Sequence, residues 1–360
     1  MKNLNYKVLM LLFVLLIILY SVNILPVINQ LITILIVLIT LLLVGNKISF
    51  SNFLIFTISL AATVISIFFS QHIGPLTIFF CIILLNGFSD LKNTKIVHHR
   101  DLQKTMIIPI IVFCFILNSF YFVDGRMYGI IKDPNYTACT LFVFISIFDL
   151  WFGFDKKSKI LIFLLFSATI LLTSSRMALL AFFVFYSLKY LILKWKISAI
   201  RKIVILLLFI FTSMQFVTTL LFQNHKNNIE WSSYSNDSNR IFTFTDESNL
   251  ARITAFDQAI NFIVDNSLLF NGIPDYMKSN PRAHNIPHHW LLQLIINSGL
   301  LLSTLYFFVI IKFIKVVPDT LLPSLASLFL IGSVLGKEPM IIGMFILLSS
   351  FLVIKKIEKT

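Results

Sequence analysis

Charge is scarce in this chain. Asp, Glu, Lys and Arg make up only 12% of its 360 residues, about half of the roughly 25% usual in soluble domains. Acid is scarcest, with 16 Asp and Glu against 29 Lys and Arg. Cysteine is nearly missing too. Cys81, Cys114 and Cys139 fall inside apolar runs without CxxC spacing. That excludes a disulfide framework or a cysteine zinc site and leaves them as small buried apolar residues. No internal repeat is visible, which weakens a reading as a two-fold-repeat transporter. What fills the chain instead is hydrocarbon: 58% hydrophobic residues and a mean hydropathy of +0.91. A soluble fold of this length cannot hide so much apolar side chain, so its solvent is lipid. The net charge of +13 is scattered between apolar runs as topology markers, not gathered into a nucleic-acid-binding patch.

Spanning helices need roughly 17–25 mostly apolar residues. The runs predict an all-α, polytopic membrane protein with about twelve spans, near 7–22, 24–44, 50–70, 75–89, 105–123, 135–152, 159–175, 177–194, 201–222, 288–311, 319–336 and 339–355. The first run lacks a small-residue cleavage site and reads as a retained span, not a signal peptide. With the N-terminus in the cytoplasm, alternate loops place 20 of the 29 basic residues inside. Both termini are then cytoplasmic. The domain organisation follows: nine spans over 1–222, a polar extracytoplasmic segment over 223–287, and three spans over 288–360. The polar segment, between spans nine and ten, is too long for a turn, and such loops are usually functional or disordered. It holds seven acidic residues against five basic ones, so an anion site within it must be built from individual arginines.

Four stretches carry candidate chemistry. "PRAHNIPHHWLLQLIINSGL", from Pro281, sets His284, His288 and His289 ahead of span ten. Pro287 suits the first turn of that span and leaves His288 and His289 at the outer water boundary. Two readings stand: an interfacial anchor, or a neutral imidazole that accepts a proton near pH 7. Zinc is disfavoured, because Pro287 interrupts the helix between His284 and His288 and no Glu lies between them. "LLTSSRMALLAFF" places Arg176 between two apolar runs with almost no loop. It either snorkels to headgroups or grips a phosphate with its fork of donors.

"ESNLARITAFDQAINFIVDNSLLFNGIP" predicts an amphipathic helix near 250–265, capped by Ser248 or Asn249 and ended by Asn271-Gly272 and Pro274. Arg252 sits at the edge of its apolar side. "KDPNYTACTLF" offers Asp133-Pro134-Asn135 as the start of span six. His288, Arg176 and Arg252 all map to the outer face, a set suited to a lipid diphosphate: two guanidinium groups neutralise the leaving diphosphate, and the histidine takes a proton from an attacking sugar hydroxyl. Arg126, Asn135, Arg282, His284 and His289 lie on the same side and are further candidates for substrate binding.

In this order and sidedness the chain resembles the O-antigen ligase and polymerase superfamily of bacterial envelope polysaccharide enzymes. The resemblance rests on the spans, the large external loop, "TSSRMALLA", "DPN", "ARITAFDQAI" with "LFNGIP", and a histidine motif. That motif is His, then Asn, Ser or Gln, nine residues, Gly, two residues, and Gly, Thr or Tyr. Counting back from Gly299 puts His288 at its catalytic place, while His289 and Leu302 depart from it. The resemblance implies a GT-C-like, metal-independent glycosyltransferase of the bacterial cytoplasmic membrane that needs no cofactor. Its donor would be an undecaprenyl-diphosphate-linked oligosaccharide, and its partners a chain-length regulator and a flippase. It implies a polymerase of O-antigen, capsule or exopolysaccharide, or a ligase transferring glycan to lipid core or protein. The two departures favour the polymerase. A transporter of lipid-linked oligosaccharide is the reading from another class, and it would want ionisable residues near mid-membrane, of which the spans contain almost none.

Overall fold

The computed structural model describes residues 50–70, 74–88, 122–123, 126–127, 134–152, 156–225, 247–270, 272–273, 276–280 and 285–336. The predicted spans at 7–22, 24–44 and 339–355 lie outside them, as does nearly all of 105–123. The described part is helical apart from one small ladder. Residues Phe122–Val123 (β1) and Arg126–Met127 (β2) pair antiparallel, Phe122 opposite Met127. The end of the predicted span 105–123 is therefore corrected to strand. The dipeptide between the two strands, Asp124-Gly125, is one that tight hairpins favour.

The helices are α1 (Phe50–Ser70), α2 (Gly74–Phe88), α3 (Pro134–Phe152), α4 (Lys156–Thr173) and α5 (Arg176–Lys194). They continue with α6 (Ile197–His225), α7 (Glu247–Asp265), α8 (Tyr276–Ser279), α9 (Trp290–Val316) and α10 (Leu322–Leu335), the last preceded by a 3-10 turn at Asp319–Leu321. Among the described residues, Arg176–Lys194, Ile197–Leu221 and Trp290–Val316 are long and apolar enough to cross a membrane. Their outer faces are apolar as well: Phe183, Leu206, Phe216, Leu221 and Phe308 are all exposed, as expected of side chains that meet lipid.

The chain divides into two compact units. The first includes 93–186. There α3 packs on α4, and Met127 of β2 is fully buried. Aromatic edges tie the helices, with Phe142 against Phe185 at 5.8 Å and Phe163 against Tyr186 at 5.1 Å. Cys139 is buried, as expected of a small apolar residue.

The second unit comprises 46–92 and 187–341. In it α1 and α2 pack on each other and on α9, α10 lies along α6, and α7 lies against both α6 and α9. Cys81 is buried in α2. At one end Arg201 of α6 donates to the carbonyls of Lys315 and Val317 and pairs with Asp319 at 2.9 Å. It thereby closes the carbonyl-bearing end of α9, where a helix leaves acceptors unsatisfied.

The sequence predicts one unbroken helix over 288–311, and the structure corrects this. α9 begins at Trp290 and is interrupted at Gly299, whose φ of 80° and ψ of 164° are not helical. Only glycine adopts that backbone without strain. The break would orphan backbone groups, which is costly in hydrocarbon. The segment after α7 satisfies them. Leu300 and Leu301 donate their N–H groups to Leu268 and Leu269 carbonyls at 2.9 and 3.0 Å, and Ile273 donates to the Ile296 carbonyl at 2.6 Å. Ser66 of α1 donates its hydroxyl to the Ser298 carbonyl at 2.9 Å.

α7 itself spans Glu247–Asp265, so Asn249 lies within it rather than at its cap. It ends before Asn271-Gly272, by a Schellman turn: Ser267 takes a φ of 47°, Ser267 N–H donates to Val264 and Leu268 N–H to Ile263. Gly272 has a different task. A Cβ there would collide with the backbone of Asn297 and Ser298, so glycine is what lets the two strands of backbone approach. Phe256, Ala259, Phe262, Leu268, Tyr276, Leu292 and Ile296 then form one apolar cluster joining α7 to α9.

Gly272→Ala is expected to force this junction apart at a cost of about 1–3 kcal/mol, the usual penalty of overpacking. A lowered midpoint in thermal unfolding of the detergent-solubilised protein, absent in the exposed Met277→Ala control, is the measurement.

Candidate active site

The histidine segment lies in the second unit, and its main chain is tied down at every carbonyl from 287 to 289. Gln293 Nε2 donates to Pro287 O at 2.7 Å. The Gln215 amide, turned so that its nitrogen meets oxygen, donates to His288 O at 3.2 Å and to Ser333 O at 3.0 Å. Gln293 N–H donates to His289 O at 3.0 Å, the first bond of α9. Room for the Gln293 side chain comes from Gly336, which has a φ of 106°; a Cβ there would come within 2.5 Å of Gln293 Nε2.

The two histidines differ. His289 is 2% exposed and is the N-cap of α9. Its Nδ1 accepts from Leu292 N–H at 3.3 Å, and its Nε2 lies 2.9 Å from Thr212 O, where it donates. This pattern defines a neutral imidazole with both nitrogens used inside the protein. Burial pushes its pKa down to about 4, only partly opposed by the Thr212 bond. The edge of one ring meets the face of the other where Phe256 of α7 packs against His289 at 5.4 Å. His288 is less buried and stands beside it at the mouth of the helix.

Arg252 lies in the same unit, four residues before Phe256 on α7. Residues four apart on a helix share a face, so Arg252 follows the side of α7 that meets His289. It is half-buried, and its Nη1 donates to Asn249 Oδ1 at 3.4 Å.

Arg176 lies in the first unit, as the first residue of α5. The hairpin before it is as short as the sequence implies. Ser174 adopts a φ of 50°. Ser175 Oγ accepts from Ala178 N–H at 3.5 Å, and Thr173 Oγ1 accepts from Ser175 N–H at 3.3 Å. Asn135 belongs to the same unit, second in α3. Arg126 contributes backbone to β2. Its side chain, and Arg282 and His284 entirely, lie outside the described residues. Gln215 is the residue that sequence reasoning misses, although a lone amide in an apolar run was a usable signal.

Comparison with known families matches residues 161–307 to the family described as O-antigen ligase. The match takes in Arg176, Arg252, His288 and Gly299. Neither a curated protein nor a solved structure matches the chain.

A pH dependence follows from His289. Its pKa in the fold lies below the ordinary 6.5, so the unfolded chain binds more protons in that window and stability falls as pH drops from about 6.5 toward 4. Thermal unfolding followed across this range should show the slope in the parent protein, and His289→Gln should flatten it.

Proposed function

Because this chain carries an O-antigen ligase domain at residues 161–307 and so belongs to the O-antigen ligase and polymerase superfamily, we propose that it polymerises lipid-linked oligosaccharide repeat units on the outer face of the cytoplasmic membrane. The donor is an undecaprenyl-diphosphate glycan. His288 acts as general base and takes a proton from a sugar hydroxyl of the acceptor. The hydroxyl oxygen attacks the anomeric carbon, and the bond from that carbon to the diphosphate oxygen breaks. Arg252 and Arg176 hold the departing lipid diphosphate and neutralise its charge. Asn135, Arg126, Arg282 and His284 are assigned to substrate binding. On this reading the protein has about twelve spans in a GT-C-like arrangement, with both termini in the cytoplasm and the 223–287 segment outside. A chain-length regulator and a flippase are its expected partners.

One observation supports the choice of base above the others. His289, with both ring nitrogens bonded within the protein, is a structural residue. Of the two adjacent histidines that favours His288, which stands at the motif's distance from Gly299, where the helix requires glycine; His284, followed by Asn285, is the second candidate. Arg176 fits an anion for an electrostatic reason. Its guanidinium is carried by the first residue of α5, beside the positive end of the helix dipole, and the two together favour a negative group. The ligase reading, with lipid core or protein as acceptor, uses the same residues and differs only in acceptor.

The test is a reconstituted assay with the lipid-linked repeat supplied on the outer side of the vesicle. Chain lengthening is expected, and its absence in favour of transport across the bilayer would sink the proposal. His288→Ala, Arg176→Ala and Arg252→Ala should each insert and fold normally and lose at least about 10²-fold in rate, the usual scale for removing a general base or a charge-stabilising group. Full activity in all three would refute the assignment.

A further inference from the structure

We infer that Gln215 is a positioning residue for His288, acting on the backbone of the base rather than on substrate. This rests on the reading of His288 as the base. Gln215 sits in the middle of α6 and is buried. A side-chain amide in an apolar helix is expensive unless its groups are used. Its nitrogen has two protons and meets two carbonyls, His288 O and Ser333 O.

Both acceptors are carbonyls at helix ends. Ser333 is within the last turn of α10 (Leu322–Leu335), where carbonyls lie beyond the reach of any N–H of the same helix. His288 precedes α9, and the N–H that would reach its carbonyl in a longer helix, that of Leu292, is taken by His289 Nδ1. One amide thus fastens the base's peptide group to two helices at once.

The same stretch of α6 holds the neighbouring peptide. Thr212, three residues before Gln215, accepts from His289 Nε2. Residues three apart lie on one helical face, so a single patch of α6 grips His288 by its carbonyl and His289 by its ring. With Pro287 O also held by Gln293, the main chain on both sides of His288 is fixed. A displacement of about 1 Å in a reacting group can cost 10²-fold in rate. Fixing this one peptide therefore bears on turnover more than on donor affinity.

The experiment compares Gln215→Leu, Gln215→Glu and His288→Ala in the full-length protein, reconstituted in vesicles with lipid-linked repeat units. Gln215→Leu keeps the volume and removes the amide. It is expected to fold, with KM for the donor within about twofold of the parent, and to lose about 10- to 100-fold in kcat. In Gln215→Glu the buried carboxyl stays protonated and donates to one carbonyl, so kcat should recover to within about fivefold of the parent. His288→Ala separates the two ideas. If it retains activity, the assignment of the base fails. If it is inactive while Gln215→Leu matches the parent in kcat, the positioning inference alone is overturned. It is equally overturned if Gln215→Leu raises KM while leaving kcat intact, if Gln215→Glu recovers nothing over Gln215→Leu, or if both Gln215 variants fail to fold, since Gln215 would then serve substrate binding or stability only.

Discussion

A single break in hydrogen bonding at Gly299 governs the second unit. In hydrocarbon a helix is stable because each backbone group finds a partner within its own segment. α9 gives up that security midway. Its Ile296 carbonyl and its Leu300 and Leu301 N–H groups are completed by the segment 268–273 instead. Part of the segment between α7 and α9 is consequently bonded into the helical body of this unit. Gly272 and Gly299 belong to the same event: one yields space, the other yields a backbone angle. Because α7 leads directly into this junction, the helix that carries Arg252 is fixed to the helix that His288 precedes.

The polar residues of this unit mostly serve the backbone. Arg201 closes the carbonyl end of α9, His289 caps its other end, Gln293 and Gln215 hold the carbonyls just before it, and Ser66 serves the break. This is the economy expected where the alternative to a protein partner is lipid. It also separates two roles that adjacent histidines would otherwise share. A ring committed at both nitrogens, as that of His289 is, cannot cycle a proton without breaking the cap and the inter-helix bond it makes.

Much of the architecture was legible because apolar run length is a strong signal. Span positions near 50–70, 135–152, 177–194 and 319–336 correspond to helices Phe50–Ser70, Pro134–Phe152, Arg176–Lys194 and Leu322–Leu335. The amphipathic helix near 250–265 was legible too, since its apolar stripe is a packing stripe. The break at Gly299 was not. Glycine in an apolar run is common in membrane helices, and hydropathy does not reveal which one has lost its helical angles. The helix ends at Asp265, where the pattern puts it, but the terminator was misread: Ser267 adopts the left-handed angle that Asn271-Gly272 advertises more loudly. Gln215 stands out in the sequence as a lone amide in an apolar run, but its role does not, because its partners are main-chain carbonyls far away in sequence and such carbonyls carry no residue identity.

The histidine motif itself gains a physical meaning from this arrangement. Between His288 and Gly299 lies one short helical stretch, Trp290–Ser298, capped by His289 at its start and closed at its end by groups from outside. Its length sets the distance from the histidine to the break, and the break sets where α7 is stitched. Lengthening or shortening the stretch by one residue would rotate His288 by about 100° relative to that junction, and would pull the His289 ring away from Thr212. The spacing is therefore a mechanical constraint on where His288 stands relative to the helix that carries Arg252. His289 fills the capping position with an imidazole nitrogen, which accepts the N–H bond that an Asn or Ser oxygen would accept at a helix start.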